Sequence, residues 1–332
     1  MTAGPASEVS AFQAITAYAH SGNPSAFLAL NEGNDLFTSP VAEGLAVHRR
    51  SGRCLVQFGG VFAPEEDYCR LLAEFVAHAR ERRRRLVAVQ LQRADAERYA
   101  AAGFTVNQLG ASYAVDLDGF SLRGARFMRL RNKISRSLRS GLTVREADAE
   151  QWEEALGELD AVWLAGKGRH ARPLRFLVGE HGGAAQRHRR LFIGLTGGEL
   201  AGYISYSPVF GDRAGWLHDL SRRRPDGPPG VAEAVNAYAI EAFRGEGTRW
   251  LHFGFTPFTG LERRHELDGH SAAFGRLVRW LWEHGEAVYP ARTQLAYKEK
   301  WAPDVVLPDY IAFHGRASLR SFAHVFRAAG AL

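Results

Sequence analysis

Along this 332-residue chain a hairpin, a helix and a buried strand follow one another in the same order twice, which predicts two similar halves of about 150 residues each. The first half opens with a predicted helix around Glu8 to His20. A hairpin runs from Leu45-Ala46-Val47-His48 through a turn at Ser51-Gly52 into Cys54–Phe58. Pro64-Glu65-Glu66-Asp67 starts a helix, with proline and acids where a helix N-terminus favours them. Tyr68, Leu71, Leu72, Phe75 and Val76 form its apolar face, and the basic run Arg82 to Arg85 ends it. Leu86–Val89 reads as a buried strand, followed by a short helix and a strand near Phe104. In the second half, a helix at Gln151–Ala165 precedes strands at Leu191–Leu195, Leu200–Ser207 and Gly215–Leu220. The loop Arg222–Gly230 leads into a helix at Val231–Arg244, and the strand Arg249–Gly254 is apolar on both faces. A basic segment, Ser121 to Ser140, lies between the halves. The division expected is residues 1–120, a basic helix or linker at 121–145, and a catalytic lobe at 146–332.

Meander, loop, helix and strand in this order resemble the core of an acetyltransferase (GNAT-like) domain. The fold class implied is α/β (α+β), a tandem GNAT-like fold of two lobes with a cleft or tunnel between them. An acetyl-CoA enzyme of that fold holds pyrophosphate on the backbone N–H groups that open the helix after its third core strand. The usual sequence there is Arg or Gln, two residues, Gly, one residue, then Gly or Ala. Here the segment reads Arg222-Arg223-Arg224-Pro225-Asp226-Gly227-Pro228-Pro229-Gly230. Three prolines remove three donors, and Asp226 adds a negative charge. The expectation is a donor other than CoA.

His218-Asp219-Leu220-Ser221-Arg222, continuing to Gly230, resembles the Asp-Leu-x-Arg-x-x-Pro-Asp-x-Pro-x-Gly run of the phosphatidylglycerol lysyltransferase catalytic-domain family, the C-terminal part of bacterial multiple-peptide-resistance factors. Leu251–Phe258 looks like that family's Gly-x-x-Pro-Leu strand end. Tyr297-Lys298-Glu299-Lys300-Trp301-Ala302-Pro303 looks like its Tyr/Phe-Lys-x-Lys-Phe-x-Pro element, and Leu130-Arg131-Asn132 matches the opening of its interlobe helix. The resemblance runs in order from Ser121 to Ala312; the first half follows by fold. It implies an aminoacyl-tRNA donor, no metal, and transfer through a tunnel between lobes. Two departures bear on the acceptor. The run Asp304–Tyr310 places Asp309 where the family has an arginine, and no integral membrane portion accompanies the domain here. The lone architecture is similar to the stand-alone branch that includes the seryl-tRNA-dependent transferase of the valanimycin pathway. A small hydroxylamine, amine or hydroxyl acceptor in natural-product (antibiotic) biosynthesis, with serine as the transferred residue, is therefore the first expectation. Aminoacylation of phosphatidylglycerol or another lipid is the alternative, and a non-catalytic RNA- or membrane-binding protein the third reading.

With an activated ester as donor, no enzyme nucleophile is needed; the protein must position the acceptor, take its proton and stabilise an oxyanion. Asp219 ends a strand where it can accept that proton or hold the donor's α-ammonium group; a loop cap is the structural alternative. Arg222 suits a terminal phosphate or the oxyanion, its charge being permanent, or else belongs to a solvated loop. Lys298 and Lys300 stand out because only four of the 42 basic residues are lysines (Lys133, Lys167, Lys298 and Lys300). A lysine kept among so many arginines suggests a point charge at an oxyanion or phosphate. Asp219, Arg222 and Lys298 are the catalytic candidates, and His218, Gly254, Pro257 and Lys300 the substrate-binding ones. His218 and His252 also suit plain core histidines. Gly254 allows close approach of substrate to backbone, and Pro257 shapes a turn.

Arg123, Arg126, Arg129, Lys133, Arg136 and Arg139 recur at helical spacing beside an apolar stripe of Phe127, Leu130, Ile134 and Leu138. This one-sided basic helix suits a tRNA backbone, an anionic lipid surface or plain solvation; Arg223 and Arg224 are further tRNA candidates. The net charge of +6 fits a polyanionic partner, although heavy arginine use also marks a GC-rich genome. Partners expected are aminoacyl-tRNA, the acceptor and, as a further candidate, the cognate synthetase. No cofactor and no metal are expected: Cys54 and Cys69 are too few for a disulfide framework or a cysteine-rich zinc site. Met1–Pro5 lacks the start of a signal peptide, and no apolar run reaches membrane-spanning length. The location expected is cytoplasmic, with peripheral membrane attachment as the alternative.

Overall fold

Continuously apolar stretches such as Cys54–Phe62 and Leu86–Leu91 suit strands covered on both faces, and in the computed structural model of this chain they become central strands of one large sheet. The structure describes residues 5–19, 22–166, 174–286 and 289–331; Lys167 and the predicted helix end at His20 fall outside the described residues. The first half comprises α1 (Pro5–Tyr18), β1 (Asp35–Phe37), β2 (Leu45–Ser51), β3 (Cys54–Phe62), α2 (Glu65–Glu81), β4 (Arg85–Leu91), α3 (Arg93–Ala101) and β5 (Phe104–Asp116). After it come α4 (Met128–Arg139), β6 (Leu142–Ala147), α5 (Glu153–Ala165), β7 (Arg190–Thr196), β8 (Glu199–Val209), β9 (Gly215–Arg223), α6 (Val231–Gly245) and β10 (Trp250–Pro257). The chain closes with α7 (Ala272–His284), α8 (Ala291–Glu299), β11 (Val305–His314) and α9 (Leu319–Ala328).

Among the described residues eleven strands form one sheet in the order β1-β2-β3-β4-β11-β5-β10-β9-β8-β7-β6. Each half has a parallel pair joined by a crossover helix: β3 and β4 through α2, and β9 and β10 through α6. The local pattern does not disclose how the halves join. β11, from the end of the chain, inserts between β4 and β5 of the first half, while β5 reaches across to pair with β10. β5 and β11 are antiparallel neighbours at the centre, and the order β4-β3-β2-β1 on one side matches β10-β9-β8-β7 on the other in pairing direction. Neither half is a closed sheet without the other's strand.

Alternation along β4 and β11 sorts the helices into two layers. Leu86, Ala88, Tyr310 and Ala312 pack with α2 and α3, whereas Val87, Val89, Ile311 and Phe313 pack with α7 and α9. Leu109 is an extra residue on β5, a bulge that restores the facing. Ala111, Tyr113 and Val115 therefore share the α2 side and carry the core beneath α4 and α6. α5 covers the opposite face through Leu156 and Leu159, against Leu191, Ile193 and Tyr203.

On α4 the stripe continues through Ser137 instead of Leu138. Phe127, Leu130 and Ser137 are buried and Ile134 partly so, a 3-4-3 spacing, while Leu138 is rotated outward and 48% exposed. Arg126, Arg129, Arg136 and Arg139 are exposed, as is Arg123 just before the helix. Arg131 turns back to the carbonyl oxygens of Leu122 and Gly124.

Candidate active site

β9 and β10 pair only from Gly215–Leu217 to Trp250–His252 and then separate, although β9 runs on to Arg223 and β10 to Pro257. Beyond the split the two strands no longer pair with each other, while β9 stays paired with β8 and β10 with β5. Two local devices shape the split. Gly254 has φ 63°, and a side chain there would lie 3.0 Å from Leu217 Cδ1. On β9, Ser205 faces Leu220 and Tyr206 faces His218, so Asp219 is the extra residue of a bulge. Bulges re-aim side chains: Asp219 and Leu220 both point to the α5 side, and His218 to the α6 side.

The Asp219 side chain is completely buried. Its Oδ2 accepts a hydrogen bond from the Ser207 hydroxyl and lies 3.7 Å from Arg189 Nε, while Oδ1 has no partner among the described residues. Burial raises its pKa to about 6, against the opposing pull of Arg189 and Ser207. Arg189 is equally buried. It donates from Nη2 to Asn31 Oδ1 at 2.9 Å and packs over Phe27, with Nη1 unpartnered among the described residues. Asn31 in turn donates to the Val178 carbonyl at 2.7 Å. Gly179 closes over the carboxylate, and a Cβ on it would stand 2.6 Å from Asp219 Cγ. A buried acid with a free oxygen beside a buried guanidinium is the arrangement that tunes a proton acceptor towards neutrality.

Arg222 lies on the same side, its guanidinium 4.0 Å from the centroid of the Trp163 ring and its Nε 3.7 Å from Asp160 Oδ1. Tyr203 donates its hydroxyl to Asp160, and His181 Nε2 touches that hydroxyl. Burial lowers the His181 pKa to about 4, so the imidazole is neutral. Asp160 remains partly exposed, a carboxylate able to take an ammonium group.

Lys298 lies beneath the split, on the α6 side. Its Nζ donates to the carbonyls of Gly254 at 2.7 Å and Phe255 at 3.3 Å, where β10 no longer pairs with β9, and it lies over the Tyr113 ring. Burial lowers its pKa to about 7, against the charge of Asp309. Asp309 is buried between Gln92 Nε2 at 2.8 Å and Ser112 Oγ at 2.7 Å, one partner from each side of the central strands. His218 stands 3.2 Å from Asn236 Oδ1, and burial holds it neutral. His252 is a fully buried strand residue with Nε2 2.8 Å from the Arg213 carbonyl.

Lys300 is not at the split. It joins Lys133 on Glu233, in the first turn of α6, at 2.9 and 2.7 Å. Gly230 ahead of that helix has φ 100°, and a Cβ there would meet the Lys133 carbonyl at 2.8 Å. The α6 N-terminus is thus covered by α4. Arg223 is exposed, while Arg224 donates to the Leu200 carbonyl. Pro257, at the end of β10, lines an apolar cavity of about 80 Å³ with Leu109, Leu177, Phe255, Phe258, Tyr289, Phe322 and Phe326. Among the described residues no group of three His, Cys, Asp or Glu side chains could hold a metal ion, and no helix is long and apolar enough to cross a membrane. Arg189, Asp160 and Gly179 were not singled out from the sequence; each lies 30 to 60 residues from Asp219 and carries no local motif.

The profile of the family described as phosphatidylglycerol lysyltransferase, C-terminal, matches residues 13–313. The chain is 28% identical over 231 residues to the lysylphosphatidylglycerol biosynthesis bifunctional protein LysX of Mycobacterium sp. (strain JLS), covering 63% of this chain and 20% of that protein. It is 22% identical over 302 residues to the phosphatidylglycerol lysyltransferase of Bacillus subtilis, covering 90% of this chain and 34% of that protein. It thus spans about a fifth to a third of the length of these relatives. The C-terminal domain (DUF2156) of a protein described as a lysylphosphatidylglycerol synthetase from Agrobacterium fabrum superposes with a TM-score of 0.79 at 22% identity, covering 99% of both chains. L-PGS from Bacillus licheniformis gives 0.75 at 20% identity, covering 96% of each. Both share the fold.

Proposed function

Because the chain belongs to the phosphatidylglycerol lysyltransferase C-terminal family, we propose that it transfers an aminoacyl group from aminoacyl-tRNA to a hydroxyl of phosphatidylglycerol. The acceptor oxygen attacks the ester carbonyl carbon, and its proton passes to Asp219. The bond between that carbon and the tRNA ribose oxygen then breaks, and the same proton returns to the departing oxygen. Asp219 serves as the base, Lys298 steadies the oxyanion with the proton its two carbonyl partners leave free, and Asp160 with Arg222 takes the donor's ammonium and phosphate ends. The observation carrying this reading is the split between β9 and β10, with a buried base on one side and a buried ammonium on the other, and with Phe255 and Pro257 at the end of β10 in the wall of an apolar cavity.

The covered N-terminus of α6 supports a donor other than CoA, since Lys133 and Gly230 occupy the place a pyrophosphate would need. The names of the relatives favour a lipid acceptor over the small-molecule, seryl-transferring reading drawn from the resemblance to the valanimycin-pathway branch and from Asp309. The reversed charge at Asp309 has no bearing on an acceptor surface, because that carboxylate is buried between Gln92 and Ser112. The exposed arginines of α4 suit the donor's RNA backbone.

The test offers purified protein a panel of radiolabelled aminoacyl-tRNAs with phosphatidylglycerol, phosphatidylcholine or a hydroxylamine. Label moving from one tRNA species into phosphatidylglycerol alone is the expected result and names the amino acid; label moving only to the hydroxylamine would restore the small-molecule reading. Gly179→Ala tests the geometry. Its methyl group must displace the Asp219 carboxylate, and a shift of about 1 Å in a catalytic group costs on the order of a hundredfold. The expected result is that loss of kcat/KM in a variant that remains folded at the assay temperature, its stability lowered by about 1–3 kcal/mol; an unchanged rate would remove Asp219 from the chemistry.

A further inference from the structure

We propose that the outer face of α7 and α9 is a docking surface for an anionic lipid bilayer. Both helices turn Phe274, Val278, Phe322 and Val325 inward onto one face of the sheet, so their outer sides look the same way. That common side presents Arg276, Arg279, Arg320 and Arg327 together with Trp280, 53% exposed, and Leu319, 65% exposed. Some exposed arginines are matched, as Arg50 is with Asp35, Arg93 with Glu97 and Arg249 with Asp116, whereas Arg129, Arg136 and Arg139 of α4 make no ion pair with another described residue. None of the four arginines here makes an ion pair with another described residue, and α9 contains no acid. On α7 the only acid is Glu283, beside His284.

Unmatched cations around an exposed tryptophan and leucine suit an anionic interface, where the ring sits among head groups, the aliphatic tip enters the acyl boundary and arginine meets phosphate. The apolar cavity lies in this same layer, with Phe322 and Phe326 of α9 in its wall. The basic helix α4 packs on the opposite face of the sheet, so a polyanionic donor there and a bilayer here do not compete. The proposal rests on the lipid-acceptor reading for its purpose, though not for its geometry.

The experiment is co-sedimentation of the whole chain with vesicles of phosphatidylcholine alone or containing phosphatidylglycerol. Binding should require the anionic lipid and weaken with salt. Reversing Arg276, Arg279, Arg320 and Arg327 to Glu should weaken it at least about a hundredfold. A Trp280→Ser/Leu319→Ser variant should weaken it about tenfold with its salt dependence unchanged. All these residues are exposed, so melting curves should match wild type. Vesicle binding that survives the four reversals overturns the proposal. So does a reversal that abolishes tRNA binding while vesicle binding persists, which would make this an RNA surface. A soluble short-chain phosphatidylglycerol separates docking from chemistry: the reversed variant should aminoacylate it as wild type does. If wild type binds vesicles through this face yet never modifies that soluble acceptor, the acceptor reading fails and the docking surface stands.

Discussion

Asp219→Asn is expected to lower kcat/KM by about a thousandfold while leaving the protein at least as stable as wild type at neutral pH. A positioned general base contributes roughly two to four orders of magnitude, and the amide keeps the shape and the acceptor oxygen for Ser207 while losing the basicity. The stability half separates a catalytic group from a structural one. Burial raises the carboxyl from its ordinary 3.8 to about 6, and that value already includes the attraction of Arg189. Below pH about 4 the group is neutral in both folded and unfolded chains, and the full stability is present. As pH rises from about 4 to 6 the unfolded chain ionises first, and the folded state loses about 3 kcal/mol through this group. The amide never ionises, so the variant should gain on wild type across that window and keep the advantage above it. Chemical denaturation at pH 4, 5 and 7 reads the difference. A variant less stable than wild type at pH 7 would make Asp219 a structural partner of Arg189, and a retained rate would remove it as the base.

The elements legible in the sequence are those whose signals are local. Pro64 and three acids mark the start of α2, and Tyr68, Leu71, Leu72 and Phe75 its buried face. Turns at Ser51-Gly52 and Thr196-Gly197-Gly198-Glu199 separate strands whose apolar runs are evident. β11 carries no clean strand signal, because Pro308 and Asp309 interrupt the apolar run of Val305–His314. It is nonetheless a strand because Asp309 finds Gln92 and Ser112, neighbours supplied by the first half. The exchange of β5 and β11 across the centre depends on pairings over hundreds of residues, which no window of sequence contains. Leu138 shows a finer limit: its spacing fits an apolar stripe, but the facing of a short helix turns on 40° of rotation, and Ser137 takes the inner place.

The candidate site divides in the same way. Asp219 and Arg222 share a short motif, and Lys298 is conspicuous as one of four lysines. Arg189 is one arginine among dozens until folding sets it beside Asp219. Lys300 and Lys133, the other conspicuous lysines in the described chain, meet on Glu233 and tie α4 to the start of α6. Rarity of a residue type therefore pointed to lysines with structural partners, one buried at Lys298 and two half-exposed on Glu233, rather than to a single role.

Lys298→Met is expected to cut kcat by about two to three orders of magnitude and to remove the alkaline side of the pH profile. The ammonium spends two protons on the Gly254 and Phe255 carbonyls and has one left at the split; a donor aimed at a developing oxyanion is worth roughly that factor. Burial holds this lysine down to about 7. The charged form is the useful one, so the rate should fall as pH rises through about 7, and Asp219 must be ionised, so it should also fall below about 6. Methionine preserves the aliphatic stem and cannot titrate, which leaves the acid side alone. Asp309, itself pushed up to about 7 by burial, supports the ammonium when ionised. Asp309→Asn should therefore move the alkaline side to lower pH without abolishing it. A lysine that only clamps two carbonyls predicts something else: the methionine variant would leave both oxygens unsatisfied at a cost of about 1–3 kcal/mol each. Its rate would then drop equally at every pH, with Tm falling in step. The shape of the profile, read beside the melting curve, decides between a group that meets the oxyanion and one that only holds the strand end open.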